Sequence, residues 1–153
     1  MTNALQIERA QWAQLDTVAP LFDAYRQFYA QAPDLPKARS FIAERLQRNE
    51  STILLAYDAE GSAVGFCQMY ASFCSVEAAP IVVLYDLFVS PLARKTGAGR
   101  ALLLAARDHA RANGYARMDL TTAKTNAPAQ ALYRSLGWIK DDVFDAYNLA
   151  LKP

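Results

Sequence analysis

From Asp16 to Ala30 apolar side chains return every three or four residues. Val18, Ala19, Phe22, Tyr25 and Tyr29 follow Leu15 at the spacing of a helix with one buried stripe, which also places Phe28 in the core. Pro33 and Pro36 interrupt that spacing. A second helix is expected from about Lys37 to Asn49, turning Phe41, Ile42 and Leu46 inward. Elsewhere the pattern is that of strands. Leu5-Gln-Ile7 alternates, and Thr52 to Tyr57 is β-branched and apolar. Asp58-Ala-Glu-Gly61 makes a turn, and Ala63 to about Phe73 returns as the second arm of a hairpin. Ile81 to Val89 is almost wholly apolar, as in a central strand covered on both faces.

A helix from Thr96 to Ala112 then ends at Asn113-Gly114, and Met118 to Thr121 is a short strand. A last helix spans Asn126 to Leu136, with Asn126 as its cap, Pro128 in its first turn and Gly137 at its end. From Ile139 onward the pattern predicts one or two further strands, Val143 to Leu151 being the longer. Strands and helices alternate irregularly, so the expected class is a mixed α/β sheet rather than a strict βαβ repeat. No repeat, linker or low-complexity tract divides the chain, and residues 1–153 read as one domain.

Composition narrows the function classes. With 53% hydrophobic and 20% charged residues the chain has the makings of a core. Its net charge of +1 excludes a global field for nucleic acid or an acidic membrane, so any anion site must be local. No run reaches transmembrane length and the first residues lack a signal-peptide pattern, which points to a cytoplasmic protein. Cys67 and Cys74 lie in one apolar segment and read as buried free thiols. These cysteines and the single histidine, His109, lack metal-ligand spacing, so no metal is expected.

The chemistry-bearing signal follows the apolar strand. Arg94-Lys95-Thr96-Gly97-Ala98-Gly99-Arg100 is a short basic loop that opens directly into a helix. A helix start presents unpaired N–H groups and the positive end of the peptide dipoles. Gly97 and Gly99 let a ligand approach the backbone, and the basic side chains add positive charge, so the loop reads as a diphosphate cradle. A dinucleotide fingerprint fits poorly, because only part of Gly-x-Gly-x-x-Gly is present. Farther on, Asn126 and Tyr133 are seven apart. At ~100° per residue that spacing returns to within ~20° of one helix face. Ala129 between them leaves a shallow strip for a flexible ligand arm.

These two motifs, in this order, resemble the GNAT superfamily of N-acetyltransferases, which move an acetyl group from acetyl-CoA to an amine. The family loop Arg/Gln-x-x-Gly-x-Gly/Ala is matched by Arg94, Gly97 and Gly99. The later pattern Asn…Ala…Leu-Tyr…Gly-Phe is matched by Asn126, Ala129 or Ala131, Leu132, Tyr133 and Gly137, with Trp138 in place of Phe. The resemblance implies a largely antiparallel central sheet of six to seven strands flanked by about four helices. It assigns Arg94 to Arg100 to the CoA pyrophosphate, and Asn126 with Ala129 to the CoA arm. Backbone groups of Leu87, Phe88 and Val89 would pair with pantetheine and polarise the thioester. Tyr133 would be the general acid toward the thiolate.

Asp86 is the one acid within the apolar strand, and an unpaired carboxylate there is costly. It reads as a paired structural acid, an amine anchor or a base. Leu84 to Val89 resembles the corresponding strand of diamine and polyamine acetyltransferases, with Tyr85 where a second acid often stands. By the same resemblance Tyr25 and Tyr29 line the acceptor site. The implied acceptor is a small-molecule amine. A peptide or protein acetyltransferase and a non-catalytic CoA-binding sensor are the alternatives. The resemblance also leaves open a homodimer paired through the late strands, around Phe144 to Leu151.

Overall fold

The computed structural model describes residues 4–152. They divide at Thr121/Thr122 into two compact units. The first holds a five-stranded sheet in the order β1 (Gln6–Arg9), β2 (Ser51–Tyr57), β3 (Ala63–Cys74), β4 (Ala79–Val89) and β5 (Met118–Asp119). The pairs from β1 through β4 are antiparallel, and β5 lies parallel to β4. The fold is thus the mixed, largely antiparallel α/β arrangement expected, with one open sheet and four α-helices among the described residues.

Helices α1 (Leu15–Phe28) and α2 (Leu35–Gln47) share a core with one face of the sheet. Val18, Phe22, Ala38 and Ile42 pack there with Ile53, Leu55, Phe66 and Phe88. Helix α3 (Ala98–Ala112) packs on β1 to β4 and buries Leu102, Leu103, Ala106 and Ala110. Between α1 and α2, the buried Asp23 carboxylate accepts from Arg26 Nη1 at 3.0 Å, Gln27 Nε2 at 3.2 Å and the Asp34 backbone N–H at 3.2 Å. Asp34 in turn caps α2 through the Lys37 N–H at 3.1 Å. This chain of bonds holds the end of α1 in place. Pro36 therefore belongs to the first turn of α2 rather than to a break before it.

The second unit carries α4 (Ala127–Ser135). Here the strand count is corrected: the sheet has five strands, not six to seven, and Ile139 to Leu151 forms none among the described residues. Apolar alternation is necessary for a strand but does not supply a hydrogen-bonding partner. In this segment the Asp141 carboxylate accepts from the Val143 and Phe144 N–H groups at 2.8 and 3.1 Å, a local turn that competes with ladder pairing.

Three smaller expectations also change. Phe28, placed in the core by its spacing, is 53% exposed at the last position of α1. Phe41 is 36% exposed, stacked on Phe22 with ring centroids 5.3 Å apart and covered by the Arg45 guanidinium at 4.4 Å. Cys67 is buried but Cys74 only partly so, and both thiols are free.

Candidate active site

The register of β3 against β4 explains how Asp86 is displayed. Gln68 pairs with Asp86 and Met69 with Leu84, so β4 carries Tyr85 as an extra, bulged residue. A bulge bends its strand and re-aims the neighbouring side chains. Tyr85 is accordingly 64% exposed within a strand expected to be covered on both faces, while Asp86 is 3% exposed. By the two-residue period of a strand, Asp86 lies on the same face as Phe88, and Gln68 on that of Phe66, toward α1 and α2.

An aromatic wall surrounds the carboxylate. The Tyr25 hydroxyl lies 3.2 Å from the Tyr85 carbonyl and also within reach of the Asp86 side chain, so its one proton is shared between two acceptors. Tyr25 and Tyr29 rings meet at 5.1 Å, and Tyr70 and Tyr85 rings at 5.7 Å. Burial pushes the Asp86 carboxyl up from the usual 3.8 to about 6, against the opposing pull of hydrogen bonds from Gln68 and Tyr25. Tyr25 and Tyr70 are shifted well upward, first by burial and then by the Asp86 charge, so both stay protonated donors. The arrangement joins a carboxylate poised near neutrality to apolar ring faces and phenolic donors. Such a site suits a cation.

Sequence reasoning found Asp86, Tyr25 and Tyr29, and the structure brings Tyr25 to Asp86 with Tyr29 against Tyr25. It missed Ser51, Gln68 and Tyr70. Gln68 could have been found by the argument that singled out Asp86, since it is the one amide in the apolar run Phe66-Cys67-Gln68-Met69. Tyr70 could not, because its partner across the strands depends on the bulge.

Beyond Val89, a short 3-10 turn (Pro91–Ala93) leads into the basic loop. Lys95 has φ +66° and Gly97 φ +90°, so the chain coils through the left-handed region before α3 begins. The Thr96 hydroxyl donates to the Ala93 carbonyl and braces the turn. No side chain caps α3 at Gly97, and a Cβ there would meet nothing within 4 Å. The N–H groups of Ala98, Gly99 and Arg100 begin the helix beside Lys95 and Arg100, a donor set that fits a diphosphate. Arg94 is placed differently from its expected partner: its Nε donates to the Val89 carbonyl at 3.1 Å. Its guanidinium lies 5.7 Å from the Phe28 ring and 5.9 Å from the Phe88 ring. The exposed Phe28 is thus a platform for Arg94 rather than core.

In the second unit, Asn126 caps α4 by accepting from the Ala129 N–H at 3.4 Å. Gln130 Nε2 bonds the Ala123 and Lys124 carbonyls at 3.1 and 3.0 Å and fixes the approach to the helix. The Trp138 N–H closes on the Tyr133 carbonyl at 3.0 Å, Gly137 takes φ +89°, and the Tyr133 and Trp138 rings meet at 6.1 Å. Asn126, Ala129 and Tyr133 therefore share one well-capped helix, as their spacing predicts. His109 lies in α3 with its pKa lowered by burial and by Arg9. Among the described residues no group could hold a metal ion, and no helix is long and apolar enough to cross a membrane.

A mixed sheet with a bulged fourth strand is thus followed by a glycine-bearing loop at a helix start. The model of the Acetyltransferase (GNAT) family matches residues 16–138, and the chain belongs to that family. It is a GNAT-type N-acetyltransferase, and the family uses acetyl-CoA as donor. It is 43% identical to an uncharacterized N-acetyltransferase, YhfO, of Bacillus subtilis strain 168, over 95% of this chain and 97% of the relative. The crystal structure of a probable acetyltransferase superposes with a TM-score of 0.90 at 37% identity, covering 97% of this chain and 99% of the other. An aminoglycoside N-acetyltransferase in complex with CoA shares the fold, with a TM-score of 0.81 at 19% identity over 97% of each chain.

Proposed function

We propose that this chain transfers an acetyl group from acetyl-CoA to the primary amine of a compact cationic small molecule, directly and within a ternary complex. One observation carries the choice of acceptor: Asp86 is a buried carboxylate poised near neutral pH among Tyr25, Tyr70 and Tyr85. The α3 loop from Lys95 to Arg100 and its helix N–H groups hold the diphosphate, with Arg94 beside them, its Nε on the Val89 carbonyl. By the family resemblance Asn126 and Ala129, and separately the backbone of Leu87, Phe88 and Val89, are assigned to the pantetheine arm. The donor supplies an activated carbonyl and a thiol leaving group.

An alkyl ammonium of pKa ~10.4 leaves only about 1 molecule in 2,500 as free amine at pH 7, which costs roughly 4.6 kcal/mol. Handing that proton completely to a carboxylate of pKa near 6 before attack is uphill by roughly 6 kcal/mol. Asp86 therefore anchors the cation, and one ammonium proton leaves to bulk water to free the lone pair. After that amine attacks, Asp86 accepts, directly or through a water, the second proton, which the new N–C bond makes acidic. A strand N–H at Phe88 or Val89 donates to the carbonyl oxygen as negative charge builds on it. Tyr133 donates its proton to the departing sulfur. The buried Cys67 thiol is pushed up to about 12, a poor nucleophile, which favours transfer without an acetyl-enzyme.

The deciding experiment incubates purified protein with acetyl-CoA and a panel of diamines, amino acids, aminoglycosides and peptides while following thiol release. Release with compact cationic amines is expected. Release with peptides alone would replace this acceptor class. Tight CoA binding without release from any amine would make the chain a sensor. Tyr133→Phe should lower turnover by about 10²-fold at unchanged acetyl-CoA affinity, the usual range for a proton donor. Single-turnover kinetics with calorimetry checks both quantities, and unchanged turnover removes Tyr133 from the reaction.

A further inference from the structure

We infer that Gln68, braced by Ser51, is the positioning residue that holds Asp86 as an aimed carboxylate. The inference rests on the proposed role of Asp86 and deepens it. Three neighbouring strands each contribute one side chain to a row. Ser51 Oγ of β2 donates to Gln68 Oε1 of β3 at 2.8 Å, and Gln68 Nε2 donates to Asp86 Oδ2 of β4 at 2.6 Å.

The direction of this relay follows from its ends. A carboxylate only accepts, so the amide must turn its NH₂ group to Asp86 and its oxygen to β2. Ser51 then has to be the donor. Gln68 is fully buried, and a buried amide turned the other way would set oxygen against oxygen. The carboxylate thus forbids the flip, and the Ser51 hydroxyl, donating to the amide oxygen, keeps the amide in line. The Gln68–Asp86 pair is also the last regular pair before Tyr85 bulges out, so the bridge fastens β4 where its register changes.

A side chain that merely satisfied a buried polar group would matter for folding alone. The relay has a further consequence, because an N–H donated to a carboxylate favours the charged form. The other groups around Asp86 are Tyr25 of α1, Cys67 and Tyr70 of β3 and Tyr85 of β4, while Tyr29, just past α1, acts on Tyr25. Arg45 of α2 and Glu50 act on Tyr70. None of these is altered by changing Gln68 or Ser51. Burial already pulls the carboxyl upward, so loss of the amide leaves only Tyr25 to oppose that pull.

Gln68→Met keeps the length of the side chain and removes the donor. The acid limb of the kcat/KM–pH profile should move up by about one pH unit. Ser51→Ala should move it the same way by less, and Ser51→Thr should restore it. The double variant should match Gln68→Met alone, since Ser51 acts through Gln68. A ¹³C NMR titration of the Asp86 carboxyl gives the same readout without turnover, so it stands even if no acceptor amine is found. An unmoved titration in Ser51→Ala and Gln68→Met, or a loss of rate by the same factor at every pH, overturns the inference. Absence of thiol release with a shifted titration overturns only the proposed acceptor.

Discussion

Asp86→Asn is expected to lower turnover by about 10²–10⁴-fold, the span for losing a positioned proton acceptor, and to make the protein more stable at pH 8. The second half follows from the sign of the shift. Burial raises the folded-state pKa from 3.8 to about 6, so the folded protein binds a proton more tightly than the unfolded chain does. Asp86 then costs nothing below about pH 4, costs progressively more as pH rises from 4 to 6, and costs a constant amount above that. A shift of about two units corresponds to roughly 3 kcal/mol. Asparagine keeps the shape and an acceptor for Gln68 while discarding the charge. Melting curves between pH 4 and 8.5 should show the variant and parent diverging across that window and running parallel above it. At about 2–4 °C per kcal/mol for a chain of this size, the separation should reach several degrees. A variant with full turnover would make Asp86 structural. One that is inactive and no more stable at pH 8 would mean that burial is not what shifts the carboxyl.

A carboxylate that destabilises its own fold is a candidate for use, and Asp86 is legible in the sequence because charge inside an apolar strand has few cheap explanations. The helix periods around Val18 and Phe22, and the glycine loop before α3, were legible for the same kind of reason: each expresses a local rule of backbone or burial. What escaped was relational. Phe28 sits at the helix period of a core residue, yet it lies exposed at the end of α1 against Tyr29 and the Arg94 guanidinium. Val143 to Leu151 alternates like a strand, but alternation is silent about a partner, and Asp141 turns the chain locally instead. The bulge at Tyr85 is a register event between two strands. Neither strand's own sequence announces it, and with it went the contacts of Tyr70 and the row from Ser51 to Asp86.

Gly65→Ala is expected to be the most damaging single methyl in the chain. Gly65 of β3 faces Val89 of β4, and a Cβ built there would lie 2.8 Å from the Phe88 carbonyl oxygen and 3.3 Å from both Val89 Cα and Cγ2. Backbone atoms cannot rotate away as a long side chain would, so the two strands must part. They are also tied just beyond this point, where the Ser90 N–H bonds the Val64 carbonyl at 2.8 Å. Overpacking of this kind costs about 1–3 kcal/mol, or a fall in Tm of roughly 2–12 °C. The displaced atoms are the Phe88 and Val89 backbone proposed to pair with pantetheine, and the loop toward α3 begins two residues later. Acetyl-CoA affinity measured by calorimetry should therefore fall by tenfold or more, beyond what lost stability explains. Gly61→Ala separates the two effects. Its φ of +81° makes alanine strained, but nothing lies within 4 Å of the added methyl, and Gly61 lies outside the β3–β4 pairing, which ends at Gly65 and Val89. It should lower Tm by a comparable amount for a strained backbone while leaving affinity intact. Equal affinity losses in the two variants would mean that the spacing between β3 and β4 at Gly65 has no special part in holding the donor.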